Sequence, residues 1–154
     1  MPIRKDKRIK TILFLSLVTL LLLVPSVQAR SHKASLFKYV AGTESMPKGC
    51  EGKLEVTGAA LVFESAEGSI TVPYASISHM EYGEKVSKQV RKMKLNWAIK
   101  PSASRSKHEG YFTVLYSQKG ETRAIILKVA TDTMRPYLAE IDLKTGLTIK
   151  SGRD

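Results

Sequence analysis

Between residues 85 and 108 the chain carries eight cations and no acid: Lys85, Lys88, Arg91, Lys92, Lys94, Lys100, Arg105 and Lys107. Ammonium and guanidinium groups clustered in this way bind anions, and they reinforce one another only within about 10 Å, the screening length at physiological salt. The chemistry open to such a run is recognition rather than bond-making. Residues suited to catalysis are sparse by comparison. His32, His79 and His108 are single and scattered, without metal-ligand spacing. No phosphate loop, G-x-S-x-G, C-x-x-C or H-E-x-x-H motif is present. Glu81 and Glu84 are close in sequence, but two carboxylates make a catalytic pair only when burial and a cleft separate their pKa values. His79 falls inside a strand pattern, where a hydrogen-bonded structural role is expected, and His108 flanks the basic run. The pattern points to a non-enzymatic module that needs no cofactor and no metal.

The charge is local. Without residues 1–29, Lys and Arg number 20 (25 minus 5) and Asp and Glu 13 (14 minus 1), a net of +7. Outside 85–108 the balance is 12 against 13, or −1. Two readings of the run stay open. In one it is a patch for an anionic partner: each Lys or Arg near anionic headgroups adds roughly 1 kcal/mol, and Trp97 and Met93 can insert at the interface. In the other, 85–94 is a solvated hairpin arm and Trp97 is core, as its alternation with Leu95 and Ile99 indicates. Nucleic acid is not the expected partner, because aromatic residues for base stacking are scarce here and the chain carries an export signal.

That signal occupies the first 29 residues. A basic head (Arg4, Lys5, Lys7, Arg8, Lys10) precedes an apolar run from Ile12 to Val24, then Pro25 and the small-residue pattern Val27-Gln28-Ala29. This is the layout of a secretory signal peptide cleaved after Ala29. The competing reading, an uncleaved anchor, has a run shorter than the roughly 20 residues a spanning helix needs. A periplasmic or secreted location follows. The single cysteine, Cys50, rules out an intramolecular disulfide even there. It reads as a small buried thiol at the start of a strand.

Residues 30–35 read as a polar tether, 36–147 as one domain and 148–154 as a tail. Within the domain the apolar positions alternate with period two, which marks strands with one buried face. The pattern predicts about seven short strands, at 52–56, 61–63, 70–74, 77–82, 95–99, 111–116 and 123–129, with 36–40 a candidate first strand. Thr57-Gly58 and Glu67-Gly68 suit tight hairpin turns, and Gln118 to Glu121 another. Pro73 belongs at a strand end or a sheet edge. Ser78, Met80 and Tyr82 are expected on one face; so are Phe112, Val114 and Tyr116, and Ile125, Leu127 and Val129. From Thr131 the period changes to helical, with Met134, Tyr137, Leu138 and Ile141 inward. Thr131 or Thr133 should cap that helix, Pro136 should fall in its first turn, and Gly146 should end it with Leu147 folding back.

The segments Gly52 to Phe63 (GKLEVTGAALVF) and Ile70 to Ile77 (ITVPYASI) resemble bacterial pleckstrin-homology-like and GRAM-like domains. The resemblance runs over about 36–147. It implies a mainly β fold, a seven-stranded antiparallel sandwich or partly open barrel with one C-terminal α-helix. It also implies a role in binding lipid headgroups or proteins. The basic lipid-binding residues of eukaryotic members lie in the first hairpin loop, which here is acidic or neutral around Glu44, so that site does not carry over. Two functions are therefore expected. One is docking on an anionic membrane or envelope surface through the basic run; the other is a protein-interaction scaffold using a sheet edge or the groove beside the helix. The oligomeric state is left open.

Overall fold

The computed structural model describes residues 37–101 and 108–151. The expected signal peptide, the tether, and Arg105 and Lys107 lie outside the described residues. The strands are β1 (Phe37–Gly42), β2 (Glu51–Val56), β3 (Ala60–Ser65), β4 (Gly68–Pro73), β5 (Ile77–Gly83), β6 (Glu109–Gln118), β7 (Glu121–Ala130) and β8 (Lys150–Ser151). A five-residue helix α1 (Lys88–Lys92) follows β5, and the long helix α2 (Thr131–Thr145) follows β7. The strands form one sheet in the order β4-β3-β2-β1-β7-β6-β5-β8. All pairs are antiparallel except β5 with β8. Since β4 and β8 end the sheet without meeting, it is an open, mainly β architecture with one main C-terminal helix rather than a closed barrel.

Alternation decides the inner face. Leu54 stands opposite Phe63, and Phe63 opposite Ile70, so the meander β2-β3-β4 turns one apolar row inward. Phe112, Val114 and Tyr116 meet Ile125, Leu127 and Val129 in the same core, and Met134 and Ile141 of α2 close it. The Phe37 and Tyr137 rings pack edge to face with centroids 5.0 Å apart. The void left among Leu54, Phe63, Val72, Phe112 and Leu127 is only about 10 Å³. That is room for a water at most, so the inner core is packing and not a ligand cavity.

Several local expectations are corrected. The β2–β3 turn does not use a left-handed Gly58; the Thr57 hydroxyl closes it, accepting from the amides of Ala59 and Ala60 at 3.3 and 3.0 Å. A bulge between Ile77 and His79 shifts the face of β5, so Ile77 and Met80 are buried while Ser78 is exposed. Ala130, not a threonine, precedes α2 and gives no side-chain cap. The Thr131 amide is held by the His108 carbonyl, and its hydroxyl accepts from Tyr82, so the threonine is engaged elsewhere. Pro136 lies in the second turn of α2 rather than the first, where it deprives the Asp132 carbonyl of its helical donor. The helix does end at Gly146, whose φ of 63° places it in the left-handed region, and Leu147 packs back on the core. Lys119 and Gly120, both at positive φ, make the β6–β7 turn. The expected tail from 148 contributes a strand: β8 extends the sheet beyond β5.

The largest correction concerns 95–99. Leu95, Trp97 and Ile99 keep their alternation, yet they form no strand and make one isolated bridge, Gly42 with Ile99. They lie on the outer face of the sheet, packed with Val86 and Val90 against Ala41, Tyr111, Leu115, Ala124 and Ile126. This second apolar layer explains why every residue from Tyr111 to Tyr116 is buried. Strands covered on both faces read as continuous apolar runs.

Candidate anion-binding surface

The outer layer is built upward from one buried carboxylate. Glu81 on β5 is only 4 % exposed. Its Oε1 accepts the Ser87 amide at 3.0 Å and its Oε2 lies 3.3 Å from His79 Nε2. Ser87 then caps α1, its hydroxyl accepting from the Val90 amide at 3.2 Å. A five-residue helix is far too short to persist by itself. Here it is pinned at its start by Glu81 and Ser87 and along one side by the buried Val90. His79 thus has the structural hydrogen-bonding role its strand position suggested, while His108 is exposed.

Beyond α1 the backbone bonds to itself two residues apart. The Leu95 amide donates to the Met93 carbonyl and the Trp97 amide to the Leu95 carbonyl, each at 2.9 Å. Successive turns of this kind give a ribbon that is fastened to the sheet where the Ala98 amide donates to the Gly42 carbonyl at 2.8 Å. Met93, Leu95, Trp97 and Ile99 are half-buried against the sheet, and Lys94, Asn96, Ala98 and Lys100 alternate outward. The predicted cations are sorted accordingly: Lys85, Lys88, Arg91, Lys92, Lys94 and Lys100 are all exposed on this one segment. The arm is therefore neither a hairpin nor freely solvated; its apolar residues are anchors and its charges face out.

Among the described residues, Lys85, Arg91, Lys92, Lys94 and Lys100 join no ion pair. Elsewhere the cations are divided: Lys38 pairs with Glu51 at 3.3 Å, Lys128 with Glu109 at 2.6 Å and Lys144 with Glu140 at 2.8 Å, while Lys48, Lys53, Lys119 and Lys150 join no ion pair among the described residues. A groove of about 350 Å³ lies within the segment, lined by Arg91, Met93, Leu95, Trp97, Lys100 and Pro101. A second groove of about 210 Å³ also borders Pro101 and is lined in part by Lys38, Lys48 and Lys128. These three lysines come from β1, the β1–β2 loop and β7, too far apart in sequence for the run at 85–107 to announce them. For two of them the available signal was a position between inward residues, Lys38 between Phe37 and Tyr39 and Lys128 between Leu127 and Val129; Lys48, in the loop, carried no such signal.

The first loop itself is tied down. Glu44 accepts from the Tyr116 hydroxyl at 2.5 Å and from Arg123 Nη1 at 3.2 Å. Burial, and the hydrogen bond to Glu44, push the Tyr116 phenol above its ordinary value; burial does the same for Tyr39. Cys50 is buried, and that burial raises its thiol pKa, which disfavours the reactive thiolate. A cleft of about 410 Å³ separates α2 from β8, lined by Tyr82, Leu138, Ala139, Asp142 and residues 148–151.

Among the described residues no group of three or more His, Cys, Asp or Glu is placed to hold a metal, and no helix is long and apolar enough to cross a membrane. No protein-family model matches the chain, and no curated protein matches it either.

Proposed function

We propose that this chain is an exported, non-enzymatic binding module of the pleckstrin-homology-like kind that docks on an anionic membrane or envelope surface through the segment 85–107. The observation that carries this reading is the sorting of 85–100: the apolar side chains fasten the segment to the sheet, and six cations stand exposed without an acid among them. A rigid backing matters because charges held in place lose little entropy on docking. With roughly 1 kcal/mol per Lys or Arg near an anionic leaflet, five in reach supply on the order of 5 kcal/mol, enough to localise a small domain. The antiparallel sheet with a single long C-terminal helix agrees with the family resemblance, and the basic head and apolar run at 1–24 support export.

Co-sedimentation of residues 30–154 with anionic and neutral vesicles tests the reading. Binding to the anionic vesicles alone, weakened by high salt and by neutralising Lys85, Arg91, Lys92 and Lys94, supports it. Equal binding to both vesicle types, or none to either, refutes it. The cleft beside α2 favours a second reading, a protein-interaction scaffold, since Leu143 is 86 % exposed on the same helix. That reading requires a partner whose binding survives the charge neutralisation and is lost in Leu143→Lys.

A further inference from the structure

We propose that the groove between Arg91 and Lys100 is a pocket for the phosphate of an anionic phospholipid, with the lipid's glycerol and upper acyl carbons on Trp97. The inference rests on the surface-docking reading above and narrows it from general electrostatic attraction to a shaped site. The groove holds about 350 Å³, within the range of small-molecule sites, and it mixes apolar walls with few polar groups as such sites do. Its polar members are complementary to a phosphodiester. Arg91 offers a planar guanidinium that can grip two phosphate oxygens at once, and Lys100 a point charge. Neither is in an ion pair among the described residues, so no carboxylate must first be displaced.

The walls make a free phosphate the poorer occupant. Met93, Leu95, Trp97 and Pro101 present apolar surface beside the two cations, and an inorganic ion would leave it uncovered. Trp97 is half-buried, with one side packed in the outer layer and the other on the groove. Its indole N–H has no acceptor among the described residues, and an aromatic ring with one apolar and one polar end is suited to the level of lipid headgroups. The ribbon of local backbone bonds from Met93 to Trp97 and the bond from Ala98 to Gly42 fix the walls before any ligand arrives.

Trp97 is the only tryptophan of the chain, so its emission reports on the groove directly. The full 30–154 domain is titrated with dihexanoyl-phosphatidylglycerol below its micelle concentration, where no charged surface exists. Dihexanoyl-phosphatidylcholine, glycerol phosphate and inorganic phosphate serve as comparisons. The expected result is a saturable blue shift with the anionic lipid, absent with phosphatidylcholine and needing at least about tenfold more of either free phosphate. Arg91→Gln or Lys100→Gln raises the half-saturating lipid concentration by about tenfold, as loss of one charge-assisted hydrogen bond does, and Lys85→Gln or Lys92→Gln leaves it within about twofold. A Trp97 spectrum unmoved by any short-chain lipid, in a protein that still sediments with anionic vesicles, overturns the pocket and leaves surface docking standing. Equal response to inorganic phosphate overturns the lipid assignment. Failure to bind short-chain lipid and vesicles alike overturns both.

Discussion

Replacing Glu81 by alanine should loosen the basic segment from its root. The carboxylate is 4 % exposed and accepts the Ser87 amide at 3.0 Å. Ser87 is itself buried, so with Glu81 truncated its N–H is left without a partner, at a cost of about 2 kcal/mol. For a domain of this size that corresponds to a melting temperature lower by roughly 6–10 °C. Glu81→Gln keeps an acceptor for the amide and gives up only the charged side of the His79 contact, so it should cost under about 1 kcal/mol. Differential scanning calorimetry of the three proteins measures the difference. Hydrogen exchange locates it: the amides of Val90 and Arg91, held by Ser87, should exchange faster in the alanine variant, while those of β6 and β7 exchange last. An alanine variant that melts within about 1 °C of the parent would refute the idea that Glu81 anchors the segment.

Two further outcomes follow from the geometry. The buried phenols of Tyr116 and Tyr39 have raised pKa values in the folded state, so the native protein keeps protons that the unfolded chain releases from about pH 10. Stability is therefore full below that pH and falls above it, by up to about 1.4 kcal/mol per pH unit for each phenol, and Tyr116→Phe should make the decline shallower in alkaline urea titrations. Gly146→Ala forces a side chain into the left-handed conformation that ends α2, and chemical denaturation should show a loss of about 1 kcal/mol without a change of m-value.

Much of the fold was legible because period-two alternation is a direct record of a sheet with one buried face. The meander from Glu51 to Pro73 and the inward sets on β6 and β7 are read from it correctly, and the inward set on α2 from the change to helical spacing at Thr131. What alternation does not record is which surface a segment faces or whom its backbone bonds. Leu95, Trp97 and Ile99 alternate as a strand would, but their amides are satisfied within the ribbon and by Gly42, and their side chains cover a second face of the sheet. That second face was visible only in the nearly continuous apolar run Tyr111–Tyr116, interrupted by Thr113, and in the unbroken run Ala124–Leu127. The α1 helix escaped notice since a single turn has no period to detect; its stability comes from Glu81 and Val90. The bulge after Ile77 and the parallel pairing of β8 depend on contacts with β6 and β5 that no local pattern encodes. For the candidate site, the run at 85–107 was plain in composition, whereas the pairing of Arg91 with Lys100 across one groove depends on the path of the ribbon.

The most direct measurement is co-sedimentation of residues 30–154 with phosphatidylglycerol vesicles and with phosphatidylcholine vesicles, each at low and high salt. Docking through the exposed cations predicts binding to the first only, lost toward about 1 M salt as the screening length shrinks to about 3 Å. Binding that ignores lipid charge and salt, or no binding to either vesicle, contradicts it.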